Sequence, residues 1–158
     1  MAKNATYLGF DYGTYKIGVA VGQAVTGTAS PLLTIRSEKK RVRFEAIDRL
    51  VETWRPQALI VGIACQTDGR DNPITPLMRK FCRQLESRYR LPVYPVDEHL
   101  TSFESRRLLF DEVNLGARKV QEVSDQVAAM LILQTWLNQR GDAEIEAEGR
   151  DDPALART

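Results

Sequence analysis

The feature that most constrains this chain is a carboxylate at the end of an apolar strand. The apolar run Tyr7–Phe10 leads directly into Asp11, and after a short turn a second apolar run spans Ile17–Gly22. This pattern predicts a buried strand, a tight turn and a paired antiparallel strand. A carboxylate at the tip of such a strand is costly unless a metal ion, a base or a bound phosphate meets it. Asp11 is therefore a candidate functional residue.

A second carboxylate position follows another apolar strand, because Val93–Val96 leads into Asp97 and Glu98. Two strand ends that carry carboxylates predict one acidic site at the edge of one sheet. Adjacent side chains in a strand point to opposite faces, so only one of Asp97 and Glu98 can be a direct ligand unless the strand has ended there. The sequence favours neither, and either residue could instead cap or orient the following turn.

The remaining patterns predict one α/β domain, which suits a chain of 158 residues. An antiparallel start that leads into βαβ units predicts a mixed sheet with three antiparallel first strands and helices on both faces. The later segments are a third strand at 26–35 with Pro31 at an edge, a basic connector at 36–43, a helix at 44–54, a buried central strand at 58–62, a helix at 74–89, a strand at 93–96, and helices near 102–110 and 124–139.

The charge is unevenly distributed along the chain. Residues 141–158 carry six acids and two arginines, a net charge of −4, which leaves +5 on residues 1–140. We predict a single domain over 1–140 and an acidic, disordered tail over 141–158. A mildly basic body is compatible with a polyanionic partner. A soluble protein surface followed by a disordered C-terminal tail explains the same charges equally well.

The features that the sequence lacks indicate in which compartment the protein is located and whether it has a membrane partner. No apolar stretch approaches the roughly 20 residues of a membrane span, so no membrane partner is expected. The first residues lack the apolar core of a signal peptide. Cys65 and Cys82 form no CxxC pair and no disulfide framework. A cytoplasmic location is the expectation.

The last predicted helix supplies a third carboxylate. Asp125 heads a helical stripe that is expected to face the sheet and that continues through Ala128, Ala129, Ile132 and Trp136. Taken alone, Asp125 is more simply a first-turn acid favoured by the helix dipole, with Ser124 as the N-cap.

Considered together, Asp11, Asp97 or Glu98, and Asp125 predict a divalent-metal site. Carboxylates brought close together raise one another's pKa, and a hard cation such as Mg²⁺ relieves that repulsion. Two such ions about 4 Å apart can activate a water and stabilise the leaving oxygen of a phosphodiester. A single histidine, His99, argues against a zinc site built from several imidazoles.

These motifs resemble the YqgF/RuvX family, within the RNase H-like fold of RuvC-type nucleases. The matching segments span nearly the whole globular body and are Leu8–Thr14, Lys16–Gly22, Thr26–Ala29, Ile60–Gly62, Asp68–Gly69, Asp97–Ser102, Ser124–Asp125 and Ala128–Leu133. The resemblance implies an RNase H-like mixed sheet and a nuclease that depends on Mg²⁺ or Mn²⁺. The resemblance implies three catalytic acids, which are Asp11, Asp125 and either Glu98 or its neighbour Asp97. The metal ligands that it implies are Asp11, Glu98 and Asp125.

The resemblance also implies a nucleic-acid partner. The family role is maturation of the 5′ end of pre-16S rRNA, with ribosomal particles as a further partner, and Holliday junction resolution is the alternative. The chain departs from the family pattern at three places: Ile63–Gln66 replaces a Leu-Pro pair and an Asn, His99 replaces an arginine, and Gln121–Val123 replaces the usual bases. None removes a carboxylate, so the departures concern substrate contacts and loop shape.

The candidate substrate-binding residues surround these acids. Lys16 follows the first turn and could neutralise a scissile phosphate. The others are Thr14, Thr101, Arg106 and Arg107. The basic run from Arg36 to Arg43 could track a nucleic-acid backbone or could be a solvated face. Tyr12 and Tyr15 could stack on bases, although core packing or hairpin pairing explains them more simply.

Two further function classes fit parts of the pattern. Kinases of the actin and sugar-kinase type also begin with an Asp-x-Gly-Thr hairpin, but they need two such domains. A non-catalytic nucleic-acid or ribosome-binding module on the same fold is the other alternative. The presence of all the acids argues against it, because binding a polyanion favours their loss. The oligomeric state stays open at the level of sequence.

Overall fold

A five-stranded mixed sheet forms the centre of the molecule. The computed structural model describes residues 5–63, 74–97 and 125–140. The strands are β1 (Thr6–Tyr12), β2 (Lys16–Gln23), β3 (Thr28–Arg36), β4 (Ala58–Ile63) and β5 (Val93–Asp97), in the order β3-β2-β1-β4-β5. β1 pairs antiparallel with β2, and β2 with β3, whereas β4 is parallel to both β1 and β5. The predicted mixed sheet is confirmed.

β3 is an edge strand of the sheet, as the proline in its sequence predicts. The pairing of β2 with β3 shifts register between Val19 and Ala20, and Pro31 is the partner of Ala20 at this irregularity. Proline lacks the N–H that a ladder needs, so it is tolerated at bulges and edge strands. The position of Pro31 was therefore readable from the sequence.

Among the described residues, three helical segments cover the two faces of the sheet. α1 spans Lys40–Trp54, α2 spans Thr75–Tyr89, and residues 125–140 are helical and are called α3 here. α1 begins four residues earlier than the apolar periodicity indicated, so part of the predicted connector is helical. The predicted helix at 102–110 and the acidic tail at 141–158 lie outside the described residues.

Two apolar clusters place α1 and α2 on one face and α3 on the other. The first cluster packs strand residues Leu8, Phe10, Ile17, Val19, Leu59 and Val61 against Ile47 of α1 and Phe81 and Leu85 of α2. The second packs Tyr7, Ala20, Ile60 and Val96 against Ala129, Ile132, Leu133 and Trp136 of α3. β4 is buried along its whole length, as its unbroken apolar run predicts. In the part of the chain that the structure describes, no helix combines the length and apolarity of a membrane span.

Glycines on the sheet let α3 approach closely. A Cβ added to Gly9 would lie 2.8 Å from Cβ of Leu133, and one added to Gly22 would lie 2.9 Å from Cδ2 of the same leucine. A side chain at Gly9 would meet the base of Leu133 and hold the helix away from the sheet, whereas the contact at Gly22 is with the flexible end of that leucine. The closest approach is at Gly18, beside the candidate site.

A polar network joins α1 to α2 on the opposite face. Arg88 donates two hydrogen bonds to Asp48, at 2.8 and 2.7 Å, and the Tyr89 hydroxyl donates a third at 2.6 Å. The hydrogen bonds from Arg88 are the main reason why the pKa of Asp48 lies below its ordinary value of 3.8. Burial of the Tyr89 phenol, together with its bond to Asp48, raises the pKa of that hydroxyl.

Asp48→Asn is expected to lower the free energy of unfolding by about 1 kcal/mol at neutral pH, since the network is largely exposed. A depressed folded pKa contributes stability above the unfolded value and loses it as pH falls through the folded value. The difference from wild type should therefore shrink below pH 3.8. Urea unfolding at pH 7 and pH 3 measures it. Glu45→Gln, in the more exposed pair with Arg41, is the control with a smaller effect. An equal difference at both pH values would contradict this account.

Candidate active site

Asp11 lies near the end of β1 and faces α3. Its cross-strand partner in β2 is Gly18. Residues directly opposite each other in an antiparallel pair project to the same face. Phe10 and Tyr12, on either side of Asp11, belong to the core under α1 and α2, so alternation also puts Asp11 on the α3 face. The Asp11 side chain is partly buried there.

The first turn of α3 brings Asp125 against the same place. A Cβ added to Gly18 would lie 2.0 Å from the carbonyl oxygen of Asp125 and 3.1 Å from its Cβ. Because cross-strand Cβ positions are about 5 Å apart, the Cβ atoms of Asp11 and Asp125 lie within roughly 8 Å of each other. The absence of a side chain at Gly18 is what allows this approach.

Lys16 contacts Asp125, one of these two aspartates. Its Nζ lies 2.9 Å from Oδ2 of Asp125, and the two side chains are 30% and 19% exposed. The same Oδ2 is buried and accepts no hydrogen bond within the described residues, so the contact with the ammonium is electrostatic and not a directed hydrogen bond. An oxygen in this position is suited to a cation.

The donor set suits a hard divalent cation. Asp11 and Asp125 offer carboxylate oxygens, which Mg²⁺ and Mn²⁺ prefer, and Asp125 Oδ2 is buried without a hydrogen bond. Among residues 5–63, 74–97 and 125–140, no group of three or more His, Cys, Asp or Glu side chains is arranged to hold a metal ion. The third expected carboxylate, Glu98, lies outside the described residues.

Asp97 lies on the other face of the sheet. Tyr94 stacks on Trp136 of α3 with ring centroids 5.3 Å apart, and Val96 is buried in the α3 core. The pleat then turns Asp97 towards the α1 and α2 face, beside its register partner Ile63. Asp97 is exposed there, two strands away from β1. The structure thus brings Asp11 and Asp125 together and leaves Asp97 apart from them.

Only some of the predicted substrate-binding residues lie in the part of the chain that the structure describes. Thr14 is exposed in the β1–β2 turn next to Lys16. Tyr15 in the same turn is 71% exposed, whereas Tyr12 packs on Phe81 at 4.9 Å between ring centroids. Thr101, Arg106 and Arg107 lie outside the described residues, as does His99.

A buried arginine supports the turn that carries these groups. Arg43 of α1 is 6% exposed, and it donates to the backbone carbonyls of Gly13 and Ser37. Its guanidinium also lies 5.3 Å from the centre of the Tyr12 ring. The sequence placed Arg43 in a connector, because the helical period became visible only with the apolar residues that follow it.

Cysteine chemistry has no part in the described site. Cys82 lies in α2, and burial raises the pKa of its thiol to about 11. A thiol with this pKa is protonated at neutral pH and is a poor nucleophile.

The architecture defines a fold class, the RNase H-like fold that RuvC-type nucleases share. The structure of T. thermophilus RuvC in complex with a Holliday junction substrate matches with a TM-score of 0.53 at 13% identity, over 87% of this chain and 96% of that chain. Fowlpox virus resolvase in a Holliday junction complex matches with a TM-score of 0.54 at 8% identity, over 85% and 97%. At such identities the likeness concerns the fold, and the predicted fold class is confirmed.

Comparison of sequences identifies the family. The model described as "RuvX: Holliday junction resolvase" matches residues 5–139. A relative from Methylococcus capsulatus named "Putative pre-16S rRNA nuclease" is 51% identical over 87% of this chain and 91% of its own length. One of the same name from Legionella pneumophila subsp. pneumophila is 44% identical over 84% and 95%. The chain belongs to the RuvX family, as the sequence motifs indicated.

Proposed function

We propose that this protein is a divalent-metal-dependent endonuclease that hydrolyses phosphodiester bonds during 5′-end processing of pre-16S rRNA. The observation that carries the chemistry is the convergence of Asp11 and Asp125 beside Gly18, with a buried Asp125 oxygen that accepts no hydrogen bond. The names of the relatives support the substrate. Ribosomal particles as a partner, a cytoplasmic location and one nuclease domain over residues 1–140 with an acidic tail belong to the same proposal.

Asp11, Glu98 and Asp125 would hold Mg²⁺ or Mn²⁺. When bound, the ion supplies a Lewis acid for the phosphoryl oxygens and lowers the pKa of a coordinated water. Glu98 is our choice over Asp97, because Asp97 lies on the α1 and α2 face of the sheet, whereas Asp11 faces α3. The buried surroundings of Asp125 strengthen its interaction with a cation by lowering the local dielectric.

Lys16 and Thr14 would bind the phosphate that is cleaved. In the free protein, the Lys16 ammonium balances the charge of Asp125 across 2.9 Å. Lys16 would bind a phosphate oxygen beside the residues that would hold the ion, because lysine has a flexible stem and a compact charge. The exposed Thr14 hydroxyl lies in the same turn and can donate to a second phosphate oxygen. Thr101, Arg106 and Arg107 complete the proposed substrate contacts.

Glu98→Gln is expected to lower the cleavage rate by roughly 10²–10³, the scale of removing one group that stabilises the transition state. Asp97→Asn, its neighbour with the same loss of charge, is expected to stay within a few-fold of wild type. Single-turnover cleavage rates of the two variants decide between the residues. The reverse result, with Asp97→Asn inactive and Glu98→Gln active, would contradict the assignment.

The proposed reaction is tested with two substrates. RNA that carries the 5′ extension of 16S rRNA should be cleaved with Mg²⁺ or Mn²⁺ and left intact with a chelator. A four-way DNA junction is the competing substrate, because the family description and the structures that share this fold concern Holliday junctions. Preferential cleavage of the junction would replace the RNA role with resolution of branched DNA. Binding of RNA without cleavage of either substrate would favour a non-catalytic module.

A further inference from the structure

An open basic groove runs between α1 and α2, on the face of the sheet opposite the paired aspartates. Its main cavity has a volume of about 520 Å³. Six of its lining residues are Lys40 and Phe44 of α1 with Lys80, Arg83, Gln84 and Arg88 of α2. Phe44 is buried and forms part of the floor, whereas the cations are exposed.

The lining residues follow the helix axes. Lys80, Gln84 and Arg88 are spaced four apart on α2, as Lys40 and Phe44 are on α1, so each set forms one stripe along its helix. From Lys80 to Arg88 the helix rises about 12 Å. This length matches about three phosphates of a single strand.

Three of these cations have no carboxylate within ion-pair distance among the described residues. Arg88 is paired with Asp48, whereas Lys40, Lys80 and Arg83 form no ion pair with any of the residues that the structure describes. Glu38 lies at the mouth of the groove and offsets part of this charge. The groove as a whole remains positive and suits an extended polyanion.

The position of Lys40 carries an electrostatic cost. The first turn of α1 contains Lys40, Arg41 and Arg43 and no acid, and no side chain caps it. Bases are unfavourable near the positive N-terminal end of a helix. Arg43 is explained by its bonds to Gly13 and Ser37, and Arg41 by its pair with Glu45. No such internal contact explains Lys40, so its charge is suited to an external anion.

The mouth of the groove lies at the same end of the sheet as the aspartates. Tyr12 directly follows Asp11 in β1, and it lines a cavity of about 160 Å³ together with Lys40 and Lys80. A strand that leaves the site of cleavage over this end of the sheet therefore meets the groove first at Tyr12 and Lys40.

We propose that the groove between α1 and α2 binds the phosphate backbone of about three nucleotides in a single-stranded part of the substrate that leads away from the cleaved bond. The inference rests on the proposed nuclease function. It adds a second contact with the nucleic acid, separated from the catalytic acids by the sheet. The contact is with phosphates and so is independent of base sequence.

The test measures RNA affinity against salt concentration with a chelator present, so that no cleavage occurs. Lys80→Gln/Arg83→Gln is compared with Arg49→Gln/Arg90→Gln, which removes the same charge from two exposed bases outside the groove, one on α1 and one at the C-cap of α2. Each lost phosphate contact reduces the slope of log K against log salt by about 0.7. The groove variant should therefore lose about 1.4, and the control should keep the wild-type slope. Equal slopes for both variants would overturn the proposal.

A second variant separates function from structural support. Lys40→Glu should keep or raise the melting temperature, because an acid suits the helix N-terminus, while it weakens RNA binding. Unchanged RNA binding would count against the groove. Altered self-association of the variants with an unchanged salt slope, measured by sedimentation, would overturn the proposal by assigning this surface to a contact between copies. A third outcome is possible, in which the groove variant shows the reduced slope of log K against log salt but the wild-type protein cleaves neither substrate. This outcome would contradict the proposed reaction and support RNA binding in the groove.

Discussion

Asp11→Asn is expected to lower the cleavage rate about a thousandfold, the upper scale for removing one group that stabilises the transition state. The amide keeps the shape of the side chain but loses the negative charge that a divalent ion needs. Asp11 is partly buried at the end of a central strand, so an isosteric change should leave the strand in place.

The measurement is the single-turnover cleavage rate of RNA with an extended 5′ end. Asp48→Asn serves as the control, since it removes a carboxylate from the α1–α2 network on the other face of the sheet. The control should cleave at the wild-type rate under conditions where it remains folded. Wild-type cleavage by Asp11→Asn would remove Asp11 from the mechanism.

Gly18→Ala is expected to cost about 3 kcal/mol of unfolding free energy, at the upper end of the usual cost of overpacking. The added Cβ would lie 2.0 Å from the Asp125 carbonyl oxygen and 2.4 Å from its carbonyl carbon. These are backbone atoms, so the start of α3 must move away from the sheet. The same movement separates Asp125 from Asp11, and folded Gly18→Ala protein should also cleave poorly.

Gly22→Ala is the matched comparison in the same strand. Its added Cβ would meet Cδ2 of Leu133 at 2.9 Å and Cδ1 of Leu137 at 3.0 Å, which are the ends of flexible side chains. Rotation of these leucines can relieve the contact, so we expect a cost of about 1 kcal/mol and normal cleavage. Urea unfolding gives both values. Equal costs at the two glycines would contradict the close approach at Gly18.

Much of the sheet was predictable because it depends on local pattern. The hairpin around Asp11 and the unbroken apolar run of β4 each specify a strand and its burial from a few adjacent residues. The stripe of Ala128, Ala129, Ile132 and Trp136 likewise predicted the face of α3 that packs on the sheet, and all of these residues except Ala128 belong to the buried cluster there. Asp125 could be assigned to the core-facing side for the same reason.

Other features depend on contacts between distant segments. The phase of the β5 pleat is fixed by Tyr94 against Trp136, so the sequence could not decide between Asp97 and Glu98. The burial of Arg43 depends on carbonyls in a turn 30 residues away. The groove could not be predicted from sequence either, because it forms only where α1 and α2 pack beside each other. One useful signal was available, since the alternation of Gly18, Ala20 and Gly22 indicates a strand face that another element approaches closely.

The most direct measurement of the central claim is Mn²⁺ binding to the protein without nucleic acid, followed by electron paramagnetic resonance. Wild type should bind the ion, and the double variant Asp11→Asn/Asp125→Asn should lose this binding while it keeps the wild-type circular dichroism spectrum. Asp48→Asn should bind as wild type does, because its carboxylate lies on the other face of the sheet. Undiminished Mn²⁺ binding by a folded double variant would contradict the claim that Asp11 and Asp125 form a metal site.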